Sequence, residues 1–394
     1  MPVSSLRSTR MLPYGRQSIS EEDIQAVADV LRSDWLTTGP KVPEFERRFA
    51  AFVGAAEAVA VCNGTAALHA AMYGCGIGPG DEVIVPAMTF AATANAVLYQ
   101  GGTPVFCDVN PENLLIDLSD VEAKITPRTR AIAAVDYTGH SCDYDALRRI
   151  AEVHQLYLID DACHAIGGTY KGRKVGSLAD LNTFSFHPVK HLTTGEGGMI
   201  TTDNPAFAAR MRNFRNHGIT TDHRQREQAG SWAYDMVDLG YNYRITDFQC
   251  ALGISQMERL PRSVLHRQQV AKRYDEAFTG VEQLAPLKRA HDVSHAYHLY
   301  VIQLHLERIT VDRAKVFRDL REEGIGVNVH YRPVHLHPYY RDRFGTGPGM
   351  CPVAEKAYER ILSLPMFASM TDEDIDHVVR SVRNIMRRHR LEPR

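Results

Sequence analysis

The sequence predicts an α/β protein with a mostly parallel central sheet, helices on both of its faces, and a smaller C-terminal α+β domain. Three observations lead there. Between Ala58 and Asp161, short apolar runs alternate with segments of helical periodicity. Strands separated by crossovers of that length lie parallel in a sheet covered on both sides. Near Pro261 the character changes, and charged helices mix with isolated strands. Residues 1–260 therefore read as a large domain and residues 261–394 as a small one, with residues 1–20 packing on the small domain.

The elements follow in order. Ser20-Glu21-Glu22-Asp23 has the pattern of a capping box, with Ile24, Val27, Ala28 and Leu31 at helical spacing behind it. The turn Leu36-Thr37-Thr38-Gly39-Pro40 ends that helix, and Phe45, Phe49 and Val53 mark the next. Ala58 to Cys62 is a strand that runs into Asn63-Gly64-Thr65-Ala66 and a helix ending near Gly74. Strands follow at Glu82–Val85, Thr103–Asp108, Arg130–Tyr137 and Tyr157–Asp161, with helices at Ala91–Gln100, Leu118–Ile125 and Asp143–His154 between them. Strands at Thr183–Phe186 and Met199–Thr202 flank Lys190, and Pro205–Arg215 is helical. Thr220 to Ser231 reads as a loop. Thr246 caps a long helix; then come a strand at Tyr297–Leu306, a helix at Asp312–Glu323, a strand at Val327–Tyr331, and helices at Val353–Leu362 and Thr371–His389. The basic end, Arg387 to Arg394, reads as a solvated helix end.

Composition narrows the function. Apolar residues make up 44% and charged residues 23%, as in a chain that buries a sizeable core. A net charge of −2 gives no electrostatic reason to expect nucleic acid or an anionic membrane as partner. Seven scattered cysteines without a CxxC pair fit reduced thiols. No apolar h-region follows the N-terminal arginines, and no run of about 18 apolar residues occurs. A cytoplasmic protein without a membrane span or a metal site is expected.

Chemistry concentrates at strand ends. Strand, Gly-Thr, helix start is an anion-binding arrangement, in which Gly64, Thr65 and Ala66 offer N–H groups at the positive end of a helix. On its own, a glycine turn with a threonine cap explains it equally well. Phe90, Asp136, Tyr137, Asp161 and His164 fall just past the carboxyl ends of strands, where ligands bind in such sheets. Lys190 sits between two strands with Ser185, Thr193 and Thr194 nearby. A solvated lysine is protonated at neutral pH, whereas partial desolvation makes it an amine fit for Schiff-base chemistry. Taken alone, Lys190 is a surface residue on a hairpin. The anion cradle, aromatic face, carboxylate and amine together are what pyridoxal 5'-phosphate requires.

The motifs NGTAAL (63–68), PAMTFAATANA (86–96), DVN (108–110), IDDACHAIG (159–167), FSFHPVKHLTTGEGG (184–198) and LGYNYRITDFQCALG (239–253) carry a resemblance over nearly the whole chain. It resembles the DegT/DnrJ/EryC1/StrS family of nucleotide-sugar aminotransferases, which have the fold of type I pyridoxal-phosphate enzymes. The resemblance implies Lys190 as the covalent attachment point, Asp161 as partner of the pyridine nitrogen, and His164 beside the ring hydroxyl. Phe90 would stack on the ring, and Gly64, Thr65, Ala66 and Ser185 would bind the phosphate. Asn242 would reach the phosphate of a neighbouring subunit, which implies a homodimer with shared active sites. Thr38, His187, Tyr331 and His335 are the implied sugar contacts.

Within the family, VDYTGHS (135–141) and HYRPVHLHPYY (330–340) look most like the transaminase of pseudaminic acid synthesis. That resemblance implies amination of C4 of a UDP-linked 4-keto-6-deoxy-N-acetylhexosamine, with L-glutamate becoming 2-oxoglutarate. Sibling C4 or C3 aminotransferases share most of these motifs. Sugar dehydrases of the family carry His in place of the lysine, and Lys190 argues against that reading. The sequence also admits an aromatic-forming relative using the same cofactor, or a non-catalytic regulator of the same fold.

Overall fold

The computed structural model describes residues 11–221 and 223–391. The first ten residues of the N-terminal segment and residues 392–394 of the basic end lie outside the described residues. In the large domain the strands are β1 (Glu57–Val61), β2 (Glu82–Pro86), β3 (Thr103–Cys107), β4 (Thr129–Val135), β5 (Tyr157–Asp161), β6 (Thr169–Tyr170), β7 (Arg173–Lys174), β8 (Leu181–Ser185) and β9 (Gly198–Thr202). Its helices begin with α1 (Glu21–Leu31), α2 (Lys41–Val53), α3 (Gly64–Gly74), α4 (Ala91–Tyr99), α5 (Leu118–Ala123), α6 (Tyr144–His154), α7 (Pro205–Phe214) and α8 (His223–Gln228).

Seven strands form one sheet in the order β1-β9-β8-β5-β4-β2-β3. Only β9 runs antiparallel to its neighbours β1 and β8; the β2–β3, β2–β4, β4–β5 and β5–β8 pairs are parallel. The parallel strands are buried on both faces, as the runs Val83-Ile84-Val85 and Ala131-Ile132-Ala133-Ala134 require. Helix α2 packs on β1, α3 on β8 and β9, and α6 on β5. Successive βα turns therefore place their residues along one edge of the sheet, at the carboxyl ends of the parallel strands.

The chain then enters α9 (Asp247–Phe278), which Thr246 and Gln249 start with a capping box. Beyond it lie β10 (Leu284–Pro286), β11 (Val293–Ser294), β12 (Tyr300–Leu304), α10 (Arg313–Glu322), α11 (Pro338–Phe344), α12 (Pro352–Tyr358), β13 (Ile361–Leu364) and α13 (Asp372–Arg388). Strands β10, β12 and β13 form an antiparallel sheet, and β11 joins β6 and β7 in a third small one. The expected division at residues 260 and 261 falls inside α9, which runs through Pro261. Pro261 removes one helical hydrogen bond, but Leu260 and Val264 beside it are buried in the large core and hold the helix through it. The second core begins with Val270, so the cores part between Val264 and Val270.

Three other expectations are corrected. Val327–Tyr331 is not a strand: Asn328 makes a single bridge to Ser363, after which the Tyr331 N–H turns to Met88 Sδ at 3.4 Å. The helix expected over Val353–Leu362 stops at Tyr358; Ile361 to Leu364 are all buried and pair with β12 instead. The segment from Thr220 to Ser231 contains the six-residue helix α8. At the N-terminus, Leu12 bridges Ile325 and packs against the small core.

One buried carboxylate joins the start of α9 to the turn before α2. Asp247, with no exposed side-chain surface, accepts from the Gly39 N–H at 2.7 Å and the Lys41 N–H at 2.8 Å. A Cβ at Gly39 would lie 2.6 Å from Asp247 Oδ1, so the turn closes only on glycine. Replacing Asp247 with Ala leaves two N–H groups unpaired and is expected to cost about 2–4 kcal/mol in denaturant titration. Lys41→Ala, which removes a half-exposed ion pair to Glu44, is expected to change stability by less than about 1 kcal/mol.

Candidate active site

Adjacent carboxylates at the end of β5 face opposite ways, because side chains alternate along a strand. Asp161 accepts from the Thr93 hydroxyl of α4 at 2.7 Å and from the Cys163 N–H at 3.3 Å. It is buried but not sealed, at 6% exposure. Asp160 has no exposed surface, and neither of its oxygens has a partner among the described residues. Its neighbour Asp136, just past β4, accepts from the Cys142 N–H at 2.9 Å and the Tyr144 hydroxyl at 3.0 Å, and leaves Oδ2 unpaired. Burial pushes both carboxyls up, Asp136 to about 7; the Asp136 charge and then that of Asp161 add to the rise at Asp160, and the Asp161 charge adds to it at Asp136.

Lys190 lies in the turn between β8 and β9, with its backbone N–H donated to the His187 carbonyl at 2.9 Å. Its Nζ is 3.5 Å from His298 Nε2. The His298 ring lies 4.4 Å from that of His164, and His164 Nε2 is hydrogen-bonded to the Tyr331 hydroxyl at 3.1 Å. The Tyr331 ring in turn sits 5.9 Å from Phe90, which is 60% exposed at the start of α4. Burial lowers the pKa of Lys190, an effect that the neighbouring Cys163 and Asp161 oppose. Burial and then the Lys190 charge push His164 and His298 well below the ordinary imidazole value. Burial likewise lowers His191, and it takes His330 to about 4. The site thus holds an amine biased toward its neutral form among uncharged imidazoles, near one carboxylate.

The anion cradle has a defined shape. Asn63 caps α3, and its Oδ1 accepts from the Ala66 N–H at 2.8 Å. Ala66 therefore already donates elsewhere and is not free for the anion contact expected of it, whereas the N–H groups of Gly64 and Thr65 have no intrahelical acceptor. A Cβ on Gly64 would meet Ser185 Cβ at 2.7 Å, so glycine lets the helix start approach β8.

The implied sugar contacts divide. Tyr331 belongs to the cluster just described, and His187 is exposed in the turn that carries Lys190. Thr38, with φ 58°, lines a cavity of about 270 Å³ with Arg212, Arg215 and Arg244. His335 is a correction. Its side chain is fully buried, with Nε2 3.0 Å from Glu355 and its ring against Phe106, so it offers no surface to a ligand. The turn Val334–Leu336 tucks it inward. A wider cleft of about 1010 Å³ lies at the opposite ends of β5 and β8, where Arg148 and Asp180 pair with each other at 2.6 Å.

Sequence reading missed His298, Thr93, His191 and Arg267. The only signal for His298 was the density of histidines in His295-Ala-Tyr-His298. Nothing near Arg267 distinguishes it from the other basic residues of α9.

The Asp136–Asp160 pair makes stability depend on pH. Their folded pKa values lie above the unfolded carboxylate value, so their contribution is complete below about pH 4 and is lost as pH rises, that of Asp136 through about 7. Asp160→Asn is expected to flatten this decline, so that its melting temperature gains on the wild type between about pH 5 and about pH 8. Thermal melts with parallel pH curves for the two proteins would contradict the assignment.

The chain matches the DegT/DnrJ/EryC1/StrS aminotransferase family over residues 17–383. It is 44% identical to the spore coat polysaccharide biosynthesis protein SpsC of Bacillus subtilis, over 97% of this chain and 98% of that one. Helicobacter pylori PseC, an aminotransferase involved in the biosynthesis of pseudoaminic acid, superposes with a TM-score of 0.90 at 31% identity, covering 96% of this chain and 100% of PseC. A Streptococcus pneumoniae protein in its PLP form superposes with a TM-score of 0.89 at 32% identity, over 96% and 99% of the two chains. Its PMP form gives 0.90 at 33% identity, over 95% and 99%. With this match over most of its length, and a lysine, a carboxylate and an anion cradle at the strand ends, the chain belongs to the DegT/DnrJ/EryC1/StrS aminotransferase family.

Proposed function

We propose that this aminotransferase moves an amino group from L-glutamate to C4 of a UDP-linked 4-keto-6-deoxy-N-acetylhexosamine, as in pseudaminic acid biosynthesis. The observation that carries the transaminase reading is the Lys190 amine, enclosed by neutral imidazoles near the Asp161 carboxylate. The sugar rests on the likeness to PseC and on the motifs at residues 135–141 and 330–340.

The residues fit pyridoxal 5'-phosphate. Gly64 leaves the α3 start open against Ser185, Asp161 is buried yet accessible, and His164 Nδ1 is buried without a partner among the described residues. When bound, the cofactor supplies a pyridinium ring that accepts carbanion electrons. Gly64, Thr65 and Ser185 would hold its phosphate, and Phe90 would cover its ring. Asp161, fixed by Thr93 and Cys163, keeps the ring nitrogen protonated. The Lys190 amine would be the group that binds its aldehyde, and it is placed to move a proton at the substrate carbon.

We also propose a homodimer. In the single chain, Trp232 is 89% exposed and Leu239 70%, and Tyr234, Met236 and Val237 between them are also exposed. An apolar stretch of that kind marks an interaction surface, and Asn242 lies at its end, exposed and bridged to Asn216. A second copy covering it would bring Asn242 to the phosphate of the facing site.

Incubation with glutamate and a panel of UDP- and dTDP-linked 4-keto sugars, read by mass spectrometry, is expected to give the 4-amino product from the UDP-N-acetyl sugar. Amination of a dTDP sugar alone would reject the proposed substrate. Asp161→Asn is expected to lose about 3 kcal/mol or more of barrier lowering; activity within threefold of wild type would point away from Asp161. Inactive Lys190→Ala and Asn242→Asp proteins are expected to regain activity when mixed, in up to about half of the hybrid sites. Proven subunit exchange without activity would remove Asn242 from the facing site.

A further inference from the structure

Lys190 has an imidazole of its own, which the proposed transamination does not use. Nζ of Lys190 is 3.5 Å from Nε2 of His298. His298 is 5% exposed, and its Nδ1 has no partner among the described residues. This ring is held from several sides. His191, next to Lys190 in the chain, donates from Nε2 to the Ala296 carbonyl at 2.8 Å, which ties the lysine turn to the histidine segment. The Ala296 N–H donates to the Gly139 carbonyl at 2.9 Å, and the Leu299 N–H to the Thr138 carbonyl at 3.2 Å. Tyr297 takes a left-handed φ of 51°, a conformation that costs energy for a ring-bearing residue.

Arg267 holds that backbone from the other side. It is 1% exposed, and its Nη1 donates to the carbonyls of Tyr297 at 3.1 Å, His298 at 3.4 Å and Met366 at 2.9 Å. A buried guanidinium bound only to carbonyls carries an uncompensated charge, which is costly. Burial lowers its pKa to about 10. In return the segment that carries His298 is fixed to α9 and to the small domain.

We propose that His298 is the proton partner of Lys190, its Nε2 taking the proton that the Lys190 ammonium carries, with Arg267 as the residue that positions it. The Nζ–H bond breaks and an Nε2–H bond forms. The positive charge moves from amine to imidazole, and no electrons leave the pair. The reverse transfer returns the proton when the reaction calls for an acid. The groups facing the pair are Asp161, Cys163, His164, His191, His330 and Arg267. Of these only Asp161 is an anion that offsets the added charge, so the site accommodates one proton on the pair and not two. The inference rests on the reading of Lys190 as the reacting amine.

The test uses the full-length protein. His298→Phe keeps the ring volume and removes the acceptor; His298→Gln keeps an acceptor that cannot take a proton. Both are expected to lower kcat about 100-fold or more with KM for either substrate within about threefold. Imidazole added to His298→Ala is expected to restore turnover saturably. A second readout needs no turnover: acetic anhydride labelling of Lys190 in protein freed of cofactor, followed by peptide mass spectrometry across pH. Losing the acceptor disfavours the ammonium form, so the labelling midpoint is expected to fall in His298→Phe and to stay near wild type in His298→Gln. If Lys190→Ala is dead and both His298→Phe and His298→Gln turn over at the wild-type rate, this inference fails while the transaminase reading stands. If His298→Phe does not fold, His298→Gln decides by its kcat. If Lys190→Ala turns over normally, both readings fall.

Discussion

The Lys190 side chain is partly buried beside the His298 ring, and burial penalises its charged form. Everything around it is arranged so that this penalty is not cancelled. The rings of His164, His191, His298 and His330 are themselves buried and pushed toward neutrality, so they supply polar contacts without a counter-charge. One carboxylate, Asp161, is within electrostatic reach, and its oxygens are already engaged by Thr93 and Cys163. A fully ion-paired lysine would be inert as a nucleophile. A lysine in this enclosure is available as one.

The sheet supplies the geometry. Parallel strands bring their carboxyl ends to one edge, so β4, β5 and β8 deliver Asp136, Asp161 and Ser185 to a common rim. The two-residue period of β5 then separates Asp160 from Asp161. Asp161 faces the opening, and Asp160 turns into the protein beside Asp136. The antiparallel strand β9 returns the chain beside β8, and the turn between them is where Lys190 sits. The helix α9 carries the frame onward: its start holds the Thr38–Gly39 turn through Asp247, and its middle holds His298 through Arg267.

Much of this was legible in the sequence because it depends on local chemistry. Apolar runs of about five residues between helical segments pointed to the parallel sheet. The strand, Gly-Thr, helix order pointed to the cradle; Ser20 announced its helix through a capping box and Thr246 as a cap, and the structure contains a capping box at both. What was not legible depends on contacts between distant segments. Ile361 and Leu362 look helical in isolation and join a strand because β12 offers an edge. Pro261 looks like a boundary, and the buried residues around it override that reading. His335 looks like a ligand contact until the turn at Val334 folds it against Glu355. His298 lies 108 residues from Lys190, and no local pattern links them.

The central claim is that Lys190, and no other amine, carries the cofactor. Borohydride reduction of the purified protein with its cofactor bound, followed by proteolysis and peptide mass mapping, tests it most directly. The account predicts that a visible absorption band disappears on reduction and that the peptide containing Lys190 bears the phosphopyridoxyl group. A phosphopyridoxyl group on another lysine, or on none, would contradict it.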